Sequence, residues 1–200
     1  LFFNNDSRKK LYTDLLLKNE TRTPIINGSG YLMVSAFLET NLSVIDSPLF
    51  KKYILEKIGN FKEDMHYLED WDFWFRVAIN NFNFKFLTDT KAFVLIRSHD
   101  KSATKQSNKI KVAEGRVRNL FNDYVFHSEL LLDNEKMELI QRNNKLLINT
   151  FKDIMAKTSY LEFKRFLSYY KEMNSSSKFI WAFIKSINLK RKLSKIASLV

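Results

Sequence analysis

The stretch that decides the fold is residues 68–78, which reads Leu-Glu-Asp-Trp-Asp-Phe-Trp-Phe-Arg-Val-Ala. Trp71, Trp74 and Phe75 are spaced i, i+3 and i+4, and this spacing predicts one buried face of a helix. Three carboxylates fall within the four residues at the start of the same helix. Because the first turn of a helix has unpaired N–H groups, negative charge is stabilised there. The stretch therefore predicts an acidic first turn on a helix whose body is buried.

The three acids, Glu69, Asp70 and Asp72, have two interpretations. In the first they cap the helix, and Asp72 forms an i,i+4 ion pair with Arg76 on the surface. In the second, a carboxylate lies between an apolar wall and a cleft, and this position tunes its pKa for proton transfer. The spacing by itself favours the cap, so the neighbouring segments have to decide.

Composition limits the class of protein. The chain has 200 residues, of which 45% are apolar, so it can fill the core of one domain or of one domain with a small appendage. Phe occurs 18 times, whereas Gly and Pro together occur only six times, which favours long regular elements over a turn-rich β-sandwich. The absence of Cys excludes disulfides, thiolate nucleophiles and zinc–thiolate sites. No signal-peptide pattern or long apolar run is visible. The start at Leu1 leads us to expect a fragment or a processed product.

Charge divides the chain into two halves. Residues 1–100 contain 13 basic and 13 acidic side chains, whereas residues 101–200 contain 20 basic and 9 acidic ones. Residues 178–200 carry six basic groups and no acid, alternating with apolar residues, which predicts a basic amphipathic helix. Such a helix could bind an anionic surface, or it could bury its apolar stripe on its own domain. Both interpretations stay open.

The remaining patterns predict a mixture of helices and strands. Ser47 and Pro48 are suited to begin a helix that Gly59 would end. Residues 31–37 fit either a strand or a helix, and the glycine pair of residues 27–30 predicts a turn. Two strands are predicted next, at residues 82–86 and at residues 92–96. Helical periodicity then runs through three further segments, residues 108–126, 134–156 and 160–172.

The order of these pieces carries a resemblance. A helix ends at Ile58-Gly59-Asn60-Phe61, the stretch of residues 68–78 follows, and Arg97-Ser98-His99 comes after a strand. Residues 40–105 thereby resemble the C-terminal half of the catalytic domain of family 2 inverting glycosyltransferases, which have the GT-A fold. Ile96 stands where the family usually has Tyr, and Thr104 stands where it has a second Ser.

The resemblance implies the fold class and the domains. It implies an α/β protein, in which residues 1–105 form the acceptor-side part of a Rossmann-like GT-A domain without its nucleotide-binding half. Residues 106–200 would then form a basic, mostly helical C-terminal region that ends in the amphipathic helix of residues 178–200.

The resemblance also implies a reaction and roles for residues. Such enzymes transfer a sugar from a nucleotide-sugar donor to an acceptor hydroxyl with inversion, which requires a general base. By position Asp70 is that base and Glu69 orients it or the acceptor. Trp71 and Arg97 would contact the substrate, Arg97 by pairing with phosphate, and His99 would be a metal ligand.

The cofactor implied by the resemblance is a divalent cation, Mg²⁺ or Mn²⁺. In the family it is held mainly by an Asp-x-Asp motif, and no such motif precedes Leu68 in this sequence. We therefore expect the 200 residues alone to be inactive. The expected acceptor is a glycan or a lipid-linked molecule, which leads us to expect a cytoplasmic protein, peripheral on the inner face of the cell membrane through residues 178–200.

Two non-enzymatic interpretations compete with this one. The basic C-terminal half could bind nucleic acid by charge and aromatic stacking, although no nucleic-acid-binding motif is present and no specific nucleic acid is expected. Alternatively, the whole chain could be a helical interaction module in which the acidic cluster is only a cap.

Overall fold

A computed structural model of the chain describes residues 2–4, 24–87, 96–98 and 107–157. Its elements, in chain order, are β1 (Phe2–Asn4), α1 (Gly30–Glu39), α2 (Tyr53–Ile58), α3 (Glu69–Ile79), β2 (Ile96–Ser98), α4 (Ser107–His127) and α5 (Asp133–Lys157). Helices α4 and α5 form an antiparallel hairpin, α3 packs against α1 and α4, and α1 also contacts α5. The described part of the chain is therefore a bundle of helices around α3.

The predicted α/β fold class is wrong. Within the described residues the structure is mainly helical and contains no Rossmann-like sheet. The two short strands pair in parallel over three residues, from Phe2 opposite Ile96 to Asn4 opposite Ser98. The strand predicted at residues 82–86 reduces to one bridge, in which Gly28 and Phe84 exchange backbone hydrogen bonds. Of the strand predicted at residues 92–96, the structure describes only Ile96.

The segment of residues 82–86 does not need a neighbouring strand, because helices cover two of its aromatic side chains. Phe84 places its ring 5.1 Å from that of Phe37 on α1, and Phe82 places its ring 5.9 Å from that of Tyr53 on α2. A period of two along the chain can thus be satisfied by packing on helices, without a neighbouring strand. The undecided segment of residues 31–37 is helical, since it lies within α1.

Helix α3 is buried on nearly all sides, which is more than the predicted single face. Trp71, Phe73, Trp74 and Phe75 are each at most 5% exposed. Phe73 stacks on Phe61 with ring centroids 4.2 Å apart, on the side of the loop that follows α2. The Trp74 indole N–H, buried among these rings, has no hydrogen-bond partner in the part of the chain that the structure describes. The predicted helix is confirmed, and it forms the centre of the core.

Helix α2 begins later than predicted. The predicted start at Ser47 and Pro48 is wrong, because both the N–H and the hydroxyl of Ser47 donate to the Val44 carbonyl and close a turn there. The helix starts instead at Tyr53. Its predicted end at Gly59 is confirmed, with a left-handed φ of 79° and a hydrogen bond from the Gly59 N–H to the Leu55 carbonyl.

Helices α4 and α5 confirm the periodicity at residues 108–126 and 134–156. A buried amide joins them, since Asn143 Nδ2 donates to the Arg118 carbonyl at 2.5 Å and to Asn122 Oδ1 at 2.9 Å. Core residues of these helices, such as Phe121 and Leu139, belong to the same apolar cluster as Trp71. The division of the chain at residue 105 stays a prediction, and the described helices on either side of it share one core. The predicted helices at residues 160–172 and 178–200 lie outside the described residues.

Phe75 provides a test of this core. Its ring is fully buried and stacks on Phe121 with centroids 3.7 Å apart. We expect Phe75→Ala to lower the free energy of unfolding by about 3–5 kcal/mol, because it removes buried apolar surface and leaves a cavity. Urea denaturation followed by circular dichroism measures the loss.

Leu49 is the control, because its side chain is 100% exposed. We expect Leu49→Ala to change the free energy of unfolding by no more than about 0.5 kcal/mol. Similar losses for the two variants would contradict the central position of α3.

Candidate functional site

The candidate site lies at the N-terminus of α3, where the chain turns sharply into the helix. Leu68 adopts the left-handed conformation, with φ 60° and ψ 21°, and it provides no side-chain cap. Helix α3 begins at the next two residues, Glu69 and Asp70, and both of their side chains are half-buried. The backbone N–H of Trp71 donates to Asp70 Oδ1 at 2.8 Å.

Asn41, just beyond the end of α1, holds the other oxygen of this carboxylate. Its Nδ2 donates to Asp70 Oδ2 at 3.1 Å, while its Oδ1 accepts the backbone N–H of Ser43 at 3.3 Å. Both ends of the amide thus have a partner, and these partners fix the orientation of the amide. The Asp70 carboxylate is therefore positioned by a side chain from another element as well as by its own helix.

The environment of Asp70 changes its acidity. Burial raises the pKa of Asp70 above the ordinary value, and the nearby charge of Glu69 acts in the same direction. The hydrogen bonds from Asn41 and from the Trp71 N–H oppose this rise in pKa and offset it only in part. A carboxylate that serves only as a cap would have a lowered pKa, because capping stabilises the charged form.

Trp71 forms the wall behind this carboxylate. Its side chain is 5% exposed, and its indole N–H donates to the Phe37 carbonyl at 2.7 Å. The guanidinium of Arg118 lies 5.0 Å from the centre of the ring. With its polar atom satisfied inside the protein, Trp71 supports the site from within. Its predicted contact with a substrate stays a prediction.

Asp72 occupies a different environment only two residues further on. Its side chain is fully buried and accepts hydrogen bonds from Arg76 Nε at 2.9 Å and from the Tyr124 hydroxyl at 2.7 Å. Lys62 Nζ lies 3.7 Å from the same carboxylate. The predicted i,i+4 pair with Arg76 is present, but it is internal and does not lie on the surface. Burial, followed by the Asp72 charge, raises the pKa of Tyr124 well above the ordinary value.

Arg76 extends this arrangement to the chain before α3. Its Nη1 donates to the Ile58 carbonyl at 2.5 Å and its Nη2 donates to the Asn60 carbonyl at 2.8 Å. These two carbonyls belong to the last residue of α2 and to the loop after Gly59. The Asp72–Arg76 pair thus fixes the start of α3 relative to the end of α2.

For two of the residues that build the site, no sequence pattern predicts their contact with the acids. Asn41 lies 29 residues before Asp70, and Tyr124 lies 52 residues after Asp72, so no periodicity connects them to the acidic turn. The polar residues that follow the apolar helix α1 indicate only that the chain turns there. Their partnership with the acids follows from the packing of α1 and α4 on α3.

The structure describes the other predicted site residues to different extents. Glu69 is half-buried and lies next to Asp70 in the first turn of α3, and its predicted orienting role stays a prediction. Arg97 lies in β2, where its backbone pairs with Phe3, and the structure describes nothing of its side chain. His99 lies outside the described residues, so its metal-ligand role stays a prediction. Within the described ranges, no three acidic or histidine side chains come together as a group that could hold a metal ion.

None of the helices in the described part of the chain has the length and apolar character needed to cross a bilayer.

The opposite environments of Asp70 and Asp72 generate two predictions. The first concerns Asp72→Ala, which leaves Arg76 and Lys62 without their buried counter-charge. We expect a loss of about 3–5 kcal/mol in the free energy of unfolding, measured by urea denaturation. Glu39→Gln is the control, since Glu39 pairs with Arg142 at an exposed site and its loss costs about 1 kcal/mol or less.

The second prediction concerns pH. A raised folded-state pKa means that protonation of Asp70 favours the folded protein at acid pH, and this contribution is lost as the pH rises through the folded-state pKa. We therefore expect Asp70→Asn to be more stable than the wild type at pH 7, with the difference vanishing below about pH 4. Chemical denaturation at a series of pH values measures it.

Carbon NMR of the Asp70 carboxyl group gives the pKa directly. Asn41→Ala should raise the pKa of Asp70 further, because a donor to the charged form is lost. If Asp70→Asn destabilises the protein at pH 7 and the loss shrinks at acid pH, the carboxylate is a cap.

The chain was compared with known protein families, curated proteins and solved structures. No family model, no curated protein and no solved structure matches the chain.

Proposed function

We propose that this chain is the acceptor-side part of an inverting glycosyltransferase that uses a nucleotide-sugar donor, with Asp70 as the general base. The observation that carries the proposal is the raised pKa of a half-buried carboxylate that a helix turn and Asn41 hold in one orientation. The order of motifs from Gly59 through residues 68–78 to Arg97 supports it. The reaction and the roles of the residues are taken from the resemblance to family 2 glycosyltransferases, whereas the α/β fold is not part of the proposal.

The chemistry requires a base that is ionised and still takes up a proton readily. As the acceptor oxygen attacks the anomeric carbon from the face opposite the leaving group, its proton passes to a carboxylate oxygen of Asp70. The new C–O bond forms while the bond from the sugar to the diphosphate breaks, so the configuration inverts. A raised pKa makes Asp70 a stronger base than an ordinary exposed aspartate.

The neighbouring groups would assist this transfer. Glu69 lies next to Asp70 at the start of α3 and is proposed to orient the acceptor hydroxyl. Asn41 and the Trp71 N–H hold both carboxylate oxygens, which restricts rotation of the Asp70 side chain. Asp72 is hydrogen-bonded to Arg76 and Tyr124 and lies near Lys62 inside the protein, so it is left with a structural role.

The leaving diphosphate requires positive charge. We assign Arg97 to phosphate and His99 to a divalent cation as proposals that follow from the motif order. When bound, Mg²⁺ or Mn²⁺ would neutralise charge on the diphosphate. The described residues offer no cluster of ligands for such an ion, so no step in the mechanism is assigned to it.

The proposed acceptor is a glycan or a lipid-linked hydroxyl compound. Nucleotide-sugar donors and lipid-linked acceptors meet at the cytoplasmic leaflet, so we infer a cytoplasmic enzyme that works at the inner face of the cell membrane.

The test measures the release of nucleoside diphosphate by the protein as the cell produces it. The donors are a panel of nucleotide sugars, and a membrane lipid extract is the source of acceptors. We expect Asp70→Asn to lower kcat by about 100-fold or more while the KM for the donor stays unchanged, because only proton removal is lost.

Glu63→Gln is the matched control, since Glu63 is an exposed acid in the loop that leads to the same helix. We expect it to retain the wild-type rate. Asp70→Asn retaining more than a tenth of that rate would remove Asp70 from the role of base. Absence of turnover by the wild type with every donor would contradict the enzymatic proposal as a whole.

A further inference from the structure

A groove lies on the surface of the α4–α5 hairpin, and its lining contains no residue of the acidic turn of α3. It has a volume of about 600 Å³, and Phe126, Met137 and Ile140 form its apolar part, beside Asp133 and Lys136. Phe126 is 56% exposed and Met137 is 62% exposed. In the loop between the helices, Leu130 and Leu132 are also more than half exposed. This concentration of large exposed apolar side chains is typical of a binding surface.

The surroundings of the groove are acidic. Residues 123–138 contain a single lysine and five carboxylates, which are Asp123, Glu129, Asp133, Glu135 and Glu138. Glu135 accepts the N–H of Leu132 as part of the cap of α5, and Glu138 lies 3.4 Å from Arg142. Only Asp133 of the five lines the groove itself, next to Lys136, and Glu138 is paired with Arg142. The remaining carboxylates, on residues that flank the groove, form its acidic rim. A segment that combines apolar and basic residues would match both properties.

The chain itself contains such a segment. Residues 178–200 carry six basic groups and no acid. Within them Ile180, Ile184 and Ile187 are spaced i, i+4 and i+7, which is the pattern of one apolar helix face. The segment is therefore complementary to the groove in both charge and hydrophobicity.

The chain is also long enough to bring the two together. Along α5, Lys157 is 20 residues beyond Met137, which corresponds to about 30 Å of helix. The 20 residues 158–177 can span up to about 66 Å when extended, so they can return to the groove by many paths. A short connection also raises the local concentration of the segment at the groove to the order of millimolar.

We propose that residues 178–200 dock in the groove of their own chain, with the isoleucine face on Phe126, Met137 and Ile140 and the basic groups facing the acidic rim. Docking covers apolar surface on both partners and pairs charges that would otherwise lie close to charges of the same sign. It also withdraws the apolar face of the segment from lipid. This surface is independent of Asp70, so the proposal does not rest on the proposed function.

The absence of Cys from the chain makes a crosslinking test clean. The test variant combines Lys136→Cys, in the groove, with Ser186→Cys, in the segment. The matched control combines Lys152→Cys with Ser186→Cys, and both variants lose one lysine from α5. Positions 136 and 152 are about 24 Å apart along the helix and point to opposite sides of it, beyond the reach of a short bis-maleimide.

We expect the bis-maleimide to join Lys136→Cys to Ser186→Cys within one chain at least about 10-fold faster than in the control, as intramolecular proximity at millimolar effective concentration requires. Adding Lys190→Glu, Arg191→Glu and Lys192→Glu to the test variant should slow the reaction by about 5-fold, and high salt should do the same to the unchanged segment.

Three results would overturn the proposal. Equal rates in the test and control variants would show that the segment has no preference for the groove. Crosslinking between two chains, seen as a dimer on a denaturing gel, would assign the groove to a second copy. Co-sedimentation of the wild-type chain with phosphatidylserine vesicles, together with loss of the crosslink, would assign the segment to a membrane.

Discussion

The rest of the described structure depends on the contacts that the buried carboxylate of Asp72 makes. It gathers Arg76 from its own helix, Lys62 from the loop before α3 and Tyr124 from α4. A buried carboxyl group is tolerated only when it is paired and hydrogen-bonded, so Asp72 depends on these partners. Through Arg76 the same arrangement reaches the end of α2, so one carboxylate sets the relative positions of three helices.

Asp70 and Asp72 show how the same side chain acquires two roles within half a turn of helix. Asp72 points into the protein and contacts two cations and a hydroxyl group. Asp70 lies at the edge and has only amide and backbone donors, so burial dominates and its pKa rises. Two neighbouring acids on one helix turn thus have different surroundings, and only one of them is enclosed by cations. The contacts of Asp72 fix the helix on which Asp70 lies.

The sequence predicted the local structure far better than the fold. Helix α3 and the two long helices of the hairpin follow from apolar spacing, and Gly59 ends α2 where its lack of a side chain predicts. The fold class was wrong because the Phe residues at 82–86 have the period of a strand, yet the rings of Phe82 and Phe84 pack on helices. Asn41 could not be predicted at all, since its contact with Asp70 exists only after α1 has packed on α3.

The two tryptophans of α3 have a consequence for how folding can be observed. Both indoles are buried, but that of Trp71 donates to a backbone carbonyl, whereas that of Trp74 has no partner in the described part of the chain. Emission from an indole shifts to longer wavelength as water replaces an apolar environment, so both residues report optically on the core. The third tryptophan, Trp181, lies within residues 178–200. Replacing Trp181 by Phe would leave a tryptophan fluorescence signal that comes from α3 alone.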